Sequence, residues 1–147
     1  MPIRVLFICT GNSARSIMAE AILNKLGHDR YIAFSAGANP SGVVNPLTIE
    51  VLKAKGYETS GLFSKPLSQF LEQDFDNVIT VCDNARQSCP IWPASKTADK
   101  PGKTKMFHWS IADPAAFAGA ETARRQFFND IYGDIETRIK NFIQDNP

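Results

Sequence analysis

The chain has 147 residues, 44% of them hydrophobic and 21% charged, the balance of an ordinary globular protein and enough for a single domain, 1–147, with its own core. Sixteen Lys and Arg stand against 15 Asp and Glu, a net charge of +1 that argues against nucleic acid or an anionic membrane as a partner. No apolar run reaches the length of a bilayer span.

Pro2-Ile3-Arg4 leads directly into a strand, with no secretory leader pattern. Val5-Leu6-Phe7-Ile8 is a continuous apolar run, the mark of a strand buried on both faces. After Ser16 the period changes: Ile17, Met18, Ala21, Ile22 and Leu26 fall near helical spacing until Gly27 stops the helix. Tyr31 to Ser35 reads as a second strand, and Ala36 to Gly42 as loop by composition. Asn45-Pro46 starts a helix that ends at Gly56, and Ser64 to Leu71 reads as a short helix. Asn77 to Val81 is a third buried strand that delivers Cys82 to its C-terminal end. A connection punctuated by Pro90, Pro93 and Pro101 runs to a fourth strand, Lys105 to Trp109. The last helix, Glu121 to Ile143, places Phe127, Phe128, Ile131, Ile135, Ile139 and Phe142 on one face.

This alternation predicts an α/β fold: a small doubly wound, four-stranded parallel sheet of flavodoxin-like order, with helices on both faces. Ligands bind such sheets outside the carboxyl ends of the strands. Cys9, Cys82 and the segment after Trp109 all leave strands at that edge.

Between the first strand and its helix lies Cys9-Thr10-Gly11-Asn12-Ser13-Ala14-Arg15, followed by Ser16. A loop of this kind points backbone N–H groups inward and ends at the positive pole of a helix, which makes a socket for a tetrahedral oxyanion from Thr10 to Ser16. Arg15 adds a planar, permanently charged fork. Cys9 sits in the same positive field, which favours a nucleophilic thiolate, and Ser16 is placed to donate a hydrogen bond to it. The plainer alternative is a small buried cysteine with an incidental arginine after it.

Three cysteines, an odd number without a secretion signal, read as working thiols in a reducing cytoplasm and not as a disulfide scaffold. Cys82 and Cys89 bracket a polar segment, and they can bridge only if it curls enough to bring their Cα atoms within about 7 Å. The pair reads as redox-active; the alternatives are incidental cysteines or half a zinc site, for which only His28 and His108 remain as histidine donors. Asp113 precedes Pro114, which holds it in extended backbone where a carboxyl group can protonate a departing oxygen. A plain Asp-Pro turn is the other meaning of that dipeptide.

Cys-Thr-Gly-Asn-Ser-Ala-Arg-Ser, followed by Met-Ala-Glu-Ala, resembles the start of the low-molecular-weight protein tyrosine phosphatase superfamily. With the two later cysteines, the second followed by Pro90, the pattern is similar to arsenate reductases of the thioredoxin-coupled type over nearly the full chain. Tyrosine phosphatases commonly carry a second cysteine before the loop arginine, where this chain has Ala14. The stretch Ala94 to Lys105 is longer than that connection usually is. The resemblance implies arsenate as substrate, attack by Cys9, protonation by Asp113, a disulfide relay through Cys82 and Cys89, and thioredoxin as reductant, with no bound cofactor. Some relatives bind potassium beside the loop; Asn12, Glu20 and Ser35 match positions of that site, while Lys65 stands where an acidic residue is expected, so no metal requirement is implied. The rival readings are a phosphatase acting on phosphotyrosine or another phosphate monoester through Cys9, and a non-enzymatic thiol redox sensor.

Overall fold

The computed structural model describes residues 2–81, 104–114 and 117–145. In chain order they form β1 (Ile3–Cys9), α1 (Arg15–Leu26), β2 (Tyr31–Gly37), α2 (Pro46–Ala54), a 3-10 helix (Leu67–Phe70), β3 (Asn77–Thr80), β4 (Lys105–His108) and α3 (Glu121–Asp145). The four strands make one parallel sheet in the order β2-β1-β3-β4. β1 is thus central, and the chain winds outward from it in both directions. That is the predicted doubly wound order, and its crevice opens at the C-terminal ends of β1 and β3.

The unbroken apolar run of β1 has a direct cause. Val5, Phe7 and Cys9 face a cluster built with α1, α2 and α3, while Leu6 and Ile8 face a second cluster with Ala36, Phe70, Phe75 and Val78. Among the described residues, three helices cover one side of the sheet, and the 3-10 helix with Phe75 packs on the other. α3 buries Phe128, Ile131, Tyr132, Ile135, Ile139 and Phe142. Phe127 lies off that stripe, half-buried, with its ring 5.0 Å from the ring of Phe117.

Two readings by composition give way to tertiary contacts. β2 runs past Ser35, because Ala36 pairs with Ile8 and Gly37 with Cys9 in the parallel register. The helix expected over Ser64 to Leu71 is reduced to its 3-10 turn, since Pro66 is extended and Gly37 bridges to it. α2 begins as its residues dictate: the Asn45 side chain accepts the Leu47 N–H at 2.9 Å, and Pro46 occupies the first turn. After it, Gly56 takes the left-handed conformation (φ 88°) that a side chain would strain. No helix among the described residues is long and apolar enough to cross a membrane.

Phe128 is fully buried in the cluster that α3 shares with α1 and α2. Phe128→Ala should therefore destabilise the fold by about 3–5 kcal/mol. Urea titration is the check: the midpoint should fall with the slope unchanged, and a loss below about 1 kcal/mol would contradict this packing.

Candidate active site at the end of β1

Cys9 ends β1, and the chain turns through residues 10–14 into α1. The carbonyls of this turn are held from outside. Cys9 O accepts from Ala38 N at 3.2 Å, Thr10 O from Asn39 N at 2.9 Å, and Gly11 O from Ser41 N at 3.0 Å. Ser13 O takes both Asn45 N and the Thr48 hydroxyl, each at 3.0 Å. In a trans peptide the C=O and the following N–H point opposite ways, and the described chain has no cis peptide. The N–H groups of Thr10, Gly11, Asn12 and Ala14 therefore aim into the loop. Asn12 N is directed to Cys9 Sγ at 3.2 Å. α1 adds its positive end here, with no side-chain cap at Ala14 and no acidic residue in its first turn.

Asn12 sits at φ 47°, uncommon for a residue with a side chain, and its amide is anchored at every atom. Oδ1 accepts Lys65 N at 2.7 Å, and Nδ2 donates to Ser16 Oγ at 2.7 Å and Ser35 Oγ at 3.0 Å. Ser16 Oγ lies 2.8 Å from Cys9 Sγ. Because that oxygen already takes a proton from Asn12, its own hydroxyl proton is left for the sulfur. Ser16 is fully buried beneath the loop and does not line the cavity above it.

Arg15, only 6% exposed, donates from Nη1 to Ile111 O at 3.0 Å, and its Nη2 lies 3.6 Å from Asp113 Oδ2. The stretch after β4 thus meets the loop from the far side. Cys9 through Arg15 and Asp113 line one cavity of about 200 Å³, sized for a small oxyanion. Eight residues expected here from the sequence (Cys9, Thr10, Gly11, Asn12, Ser13, Ala14, Arg15 and Asp113) come together, whereas Ser16, also expected in the socket, lies beneath it.

Behind the loop, the Ser35 hydroxyl donates to Glu20, and Lys65 Nζ stands 3.5 Å from Glu20 Oε1 and 3.4 Å from Ser35 Oγ. Burial pushes the Glu20 carboxyl up; the Lys65 charge and the Ser35 hydrogen bond oppose that. A potassium ion does not fit these residues, since the lysine ammonium already fills the contact between Glu20 and Ser35. Among the described residues no group of three or more His, Cys, Asp or Glu could hold a metal.

Cys82 and Cys89 lie outside the described residues, as does Ala94 to Lys105 apart from Thr104 and Lys105. Val81, just before Cys82, donates its N–H to Ile8 O at 2.9 Å, beside the strand that carries Cys9. Sequence reasoning did not find the outer grip on the loop, supplied by residues 38–48 and Ser64, because such backbone contacts leave no side-chain signature. Gly37 is the one position that could have signalled it. A Cβ there would meet Thr10 O at 2.7 Å and Asn12 Cβ at 3.0 Å.

Gly37→Ala should accordingly push the loop off β2. The expected result is a loss of about tenfold or more in phosphate affinity by calorimetric titration, equivalent to roughly 1.4 kcal/mol. Wild-type affinity in that variant would show that the close approach does not shape the socket.

Comparison with known proteins accords with this geometry. The profile of the family described as Low molecular weight phosphotyrosine protein phosphatase matches residues 4–145. An arsenate reductase of Halalkalibacterium halodurans is 34% identical over 140 residues, covering 95% of this chain and 94% of its own. A solved arsenate reductase in the phosphate binding state superposes with a TM-score of 0.78 at 27% identity, over 97% of this chain and 98% of the other. The Corynebacterium glutamicum thioredoxin-dependent arsenate reductase gives a TM-score of 0.68 at 27% identity, over 98% of this chain and 62% of the other. With the loop, the sheet order and the near-complete match in agreement, the chain belongs to the low molecular weight phosphotyrosine protein phosphatase family.

Proposed function

We propose that this protein reduces arsenate to arsenite through Cys9, with Cys82, Cys89 and thioredoxin completing the electron transfer. The observation that carries the reading is the cavity in which Cys9, the inward loop amides, Arg15 and Asp113 converge. The arsenate reductases at 27–34% identity favour reduction over hydrolysis, as do the two further cysteines.

In this mechanism arsenate enters as the oxyanion, its charge met by the inward amides of Thr10, Gly11, Asn12 and Ala14 and by the Arg15 guanidinium. The Cys9 thiolate attacks arsenic, and a hydroxyl leaves as water with a proton from Asp113. The Cys82 thiolate then attacks the Cys9 sulfur. The sulfur–arsenic bond breaks, its electron pair stays on arsenic, and arsenite departs, leaving a Cys9–Cys82 disulfide. Cys89 attacks Cys82 and releases Cys9 as thiolate. The resulting Cys82–Cys89 disulfide is reduced by the dithiol of thioredoxin, so the chain needs no bound cofactor. A relay of this kind belongs in a reducing compartment, here read as the cytoplasm. Val81, the residue before Cys82 in sequence, donates its N–H to Ile8 O, one residue from Cys9, and this supports the relay.

Arg15→Lys should lower kcat/KM by about 10²–10³-fold although charge is kept, since an ammonium lacks the planar fork aimed at two oxygens. Steady-state kinetics of the variant test this, and wild-type values would show that charge alone suffices.

The decisive variants are Cys82→Ser and Cys89→Ser. Each should stop thioredoxin-driven turnover of arsenate while sparing hydrolysis of an aryl phosphate, whose phosphocysteine is resolved by water. They should also differ from one another in a single turnover. Without Cys82 no arsenite is released; without Cys89 about one arsenite per chain escapes and peptide mapping finds Cys9 bonded to Cys82. Full turnover in both variants would refute the relay and favour a phosphatase working through Cys9 alone.

A further inference from the structure

Reduction through Cys9 makes three demands on the site. The thiolate attacks an electrophile inside the cavity, a hydroxide leaves with a proton, and a second thiol then strikes the sulfur. None of the three is peculiar to arsenic. A hydroperoxide meets the same terms, since a thiolate attacks its O–O bond and the leaving group is again hydroxide.

The geometry suits that smaller substrate. Cys9 lines the cavity of about 200 Å³, and its sulfur takes the Asn12 N–H at 3.2 Å, with Ser16 Oγ at 2.8 Å. Hydrogen peroxide is uncharged and smaller than the oxyanion for which this cavity is sized. Arg15 and Asp113 line the same cavity, 3.6 Å from one another, so a departing oxygen meets both a positive charge and a proton. Between Cys9 and Arg15 stand Thr10, Gly11, Asn12, Ser13 and Ala14, with no second thiol among them. An oxidised Cys9 therefore has no partner within its own loop. The other thiols of the chain are Cys82 and Cys89, those of the relay.

We propose that the protein is also a thioredoxin-driven peroxidase that reduces hydrogen peroxide to water through Cys9. The Cys9 thiolate attacks one peroxide oxygen: the S–O bond forms, the O–O bond breaks, and the far oxygen leaves as water with a proton from Asp113. The sulfur gives up two electrons and becomes a sulfenic acid. The Cys82 thiolate then attacks that sulfur and expels the hydroxyl, which leaves as a second water with a proton from solvent. The product is the same Cys9–Cys82 disulfide that arsenate yields. Cys89 and the dithiol of thioredoxin complete the cycle, one dithiol oxidised for each peroxide reduced. The inference rests on the relay proposed above and extends it to a second oxidant.

The test follows NADPH oxidation by thioredoxin reductase and thioredoxin with hydrogen peroxide as the oxidant. Wild-type protein should raise the peroxide-dependent rate by about tenfold or more over the thioredoxin couple alone. Cys82→Ser should return the rate to that background, and its Cys9 should hold a sulfenic acid that dimedone labels and peptide mapping locates. Saturating phosphate, which takes the same cavity, should lower the wild-type rate by about tenfold or more. A wild-type rate at background overturns the inference, as does one indifferent to phosphate or to Cys82→Ser. A parallel assay with arsenate separates this inference from the reading on which it rests. Turnover of arsenate without peroxide overturns the peroxidase alone, and turnover of peroxide without arsenate overturns the arsenate reading alone. Turnover of neither overturns both.

Discussion

The site depends on where four peptide planes point. Residues 38–48 and Ser64 hold the outward carbonyls of the loop after β1, and planarity then obliges the opposite N–H groups to face inward. The socket is therefore a consequence of backbone hydrogen bonding around its outside. Its inner surface carries little side-chain chemistry apart from Cys9 and Arg15. The parallel register of β1 and β2 is what brings the outer shell near enough, with Gly37 opposite Cys9 and no side chain to hold the two apart.

Charge is arranged in layers about that backbone. Above the sulfur, Arg15 is oriented by the Ile111 carbonyl and faces Asp113, so the guanidinium has a defined direction before any anion arrives. Below it, Asn12 and Ser16 supply donors, and the Asn12 amide is itself oriented by the Lys65 backbone N–H on its Oδ1. Buried polar groups in such a network are costly when left unmatched and stiff when all are matched. Here the cost is met by full pairing, which leaves Asn12 in a left-handed conformation that its side-chain contacts secure.

Much of this was legible in the sequence, for physical reasons. Val5 to Ile8 lacks any polar alternation because both faces of β1 are covered, and α3 shows its buried stripe because one side of it meets the core. Cys9 and Arg15 were readable as one site because a short strand-to-helix loop joins them, and both line the cavity. Asp113 was readable from its place after the fourth strand together with the family resemblance. The rest depends on contacts distant in sequence. Ala36 and Gly37 look like loop until their pairing with Ile8 and Cys9 is known. Residues 64–71 lose their helix to Pro66 and its bridge to Gly37. The alignment of Lys65 with Glu20 crosses from one segment to another and could be read only by analogy. Cys82 and Cys89 lie beyond the described residues, so their part stands on the sequence and on chemistry.

The central claim is that electrons from thioredoxin reach arsenic through this chain. The most direct measurement follows NADPH oxidation by thioredoxin reductase and thioredoxin in the presence of the wild-type protein and arsenate, with arsenite counted in parallel. The account predicts oxidation that requires both arsenate and the protein, with one NADPH consumed per arsenite formed. Hydrolysis of an aryl phosphate with no arsenate-dependent NADPH oxidation would contradict it.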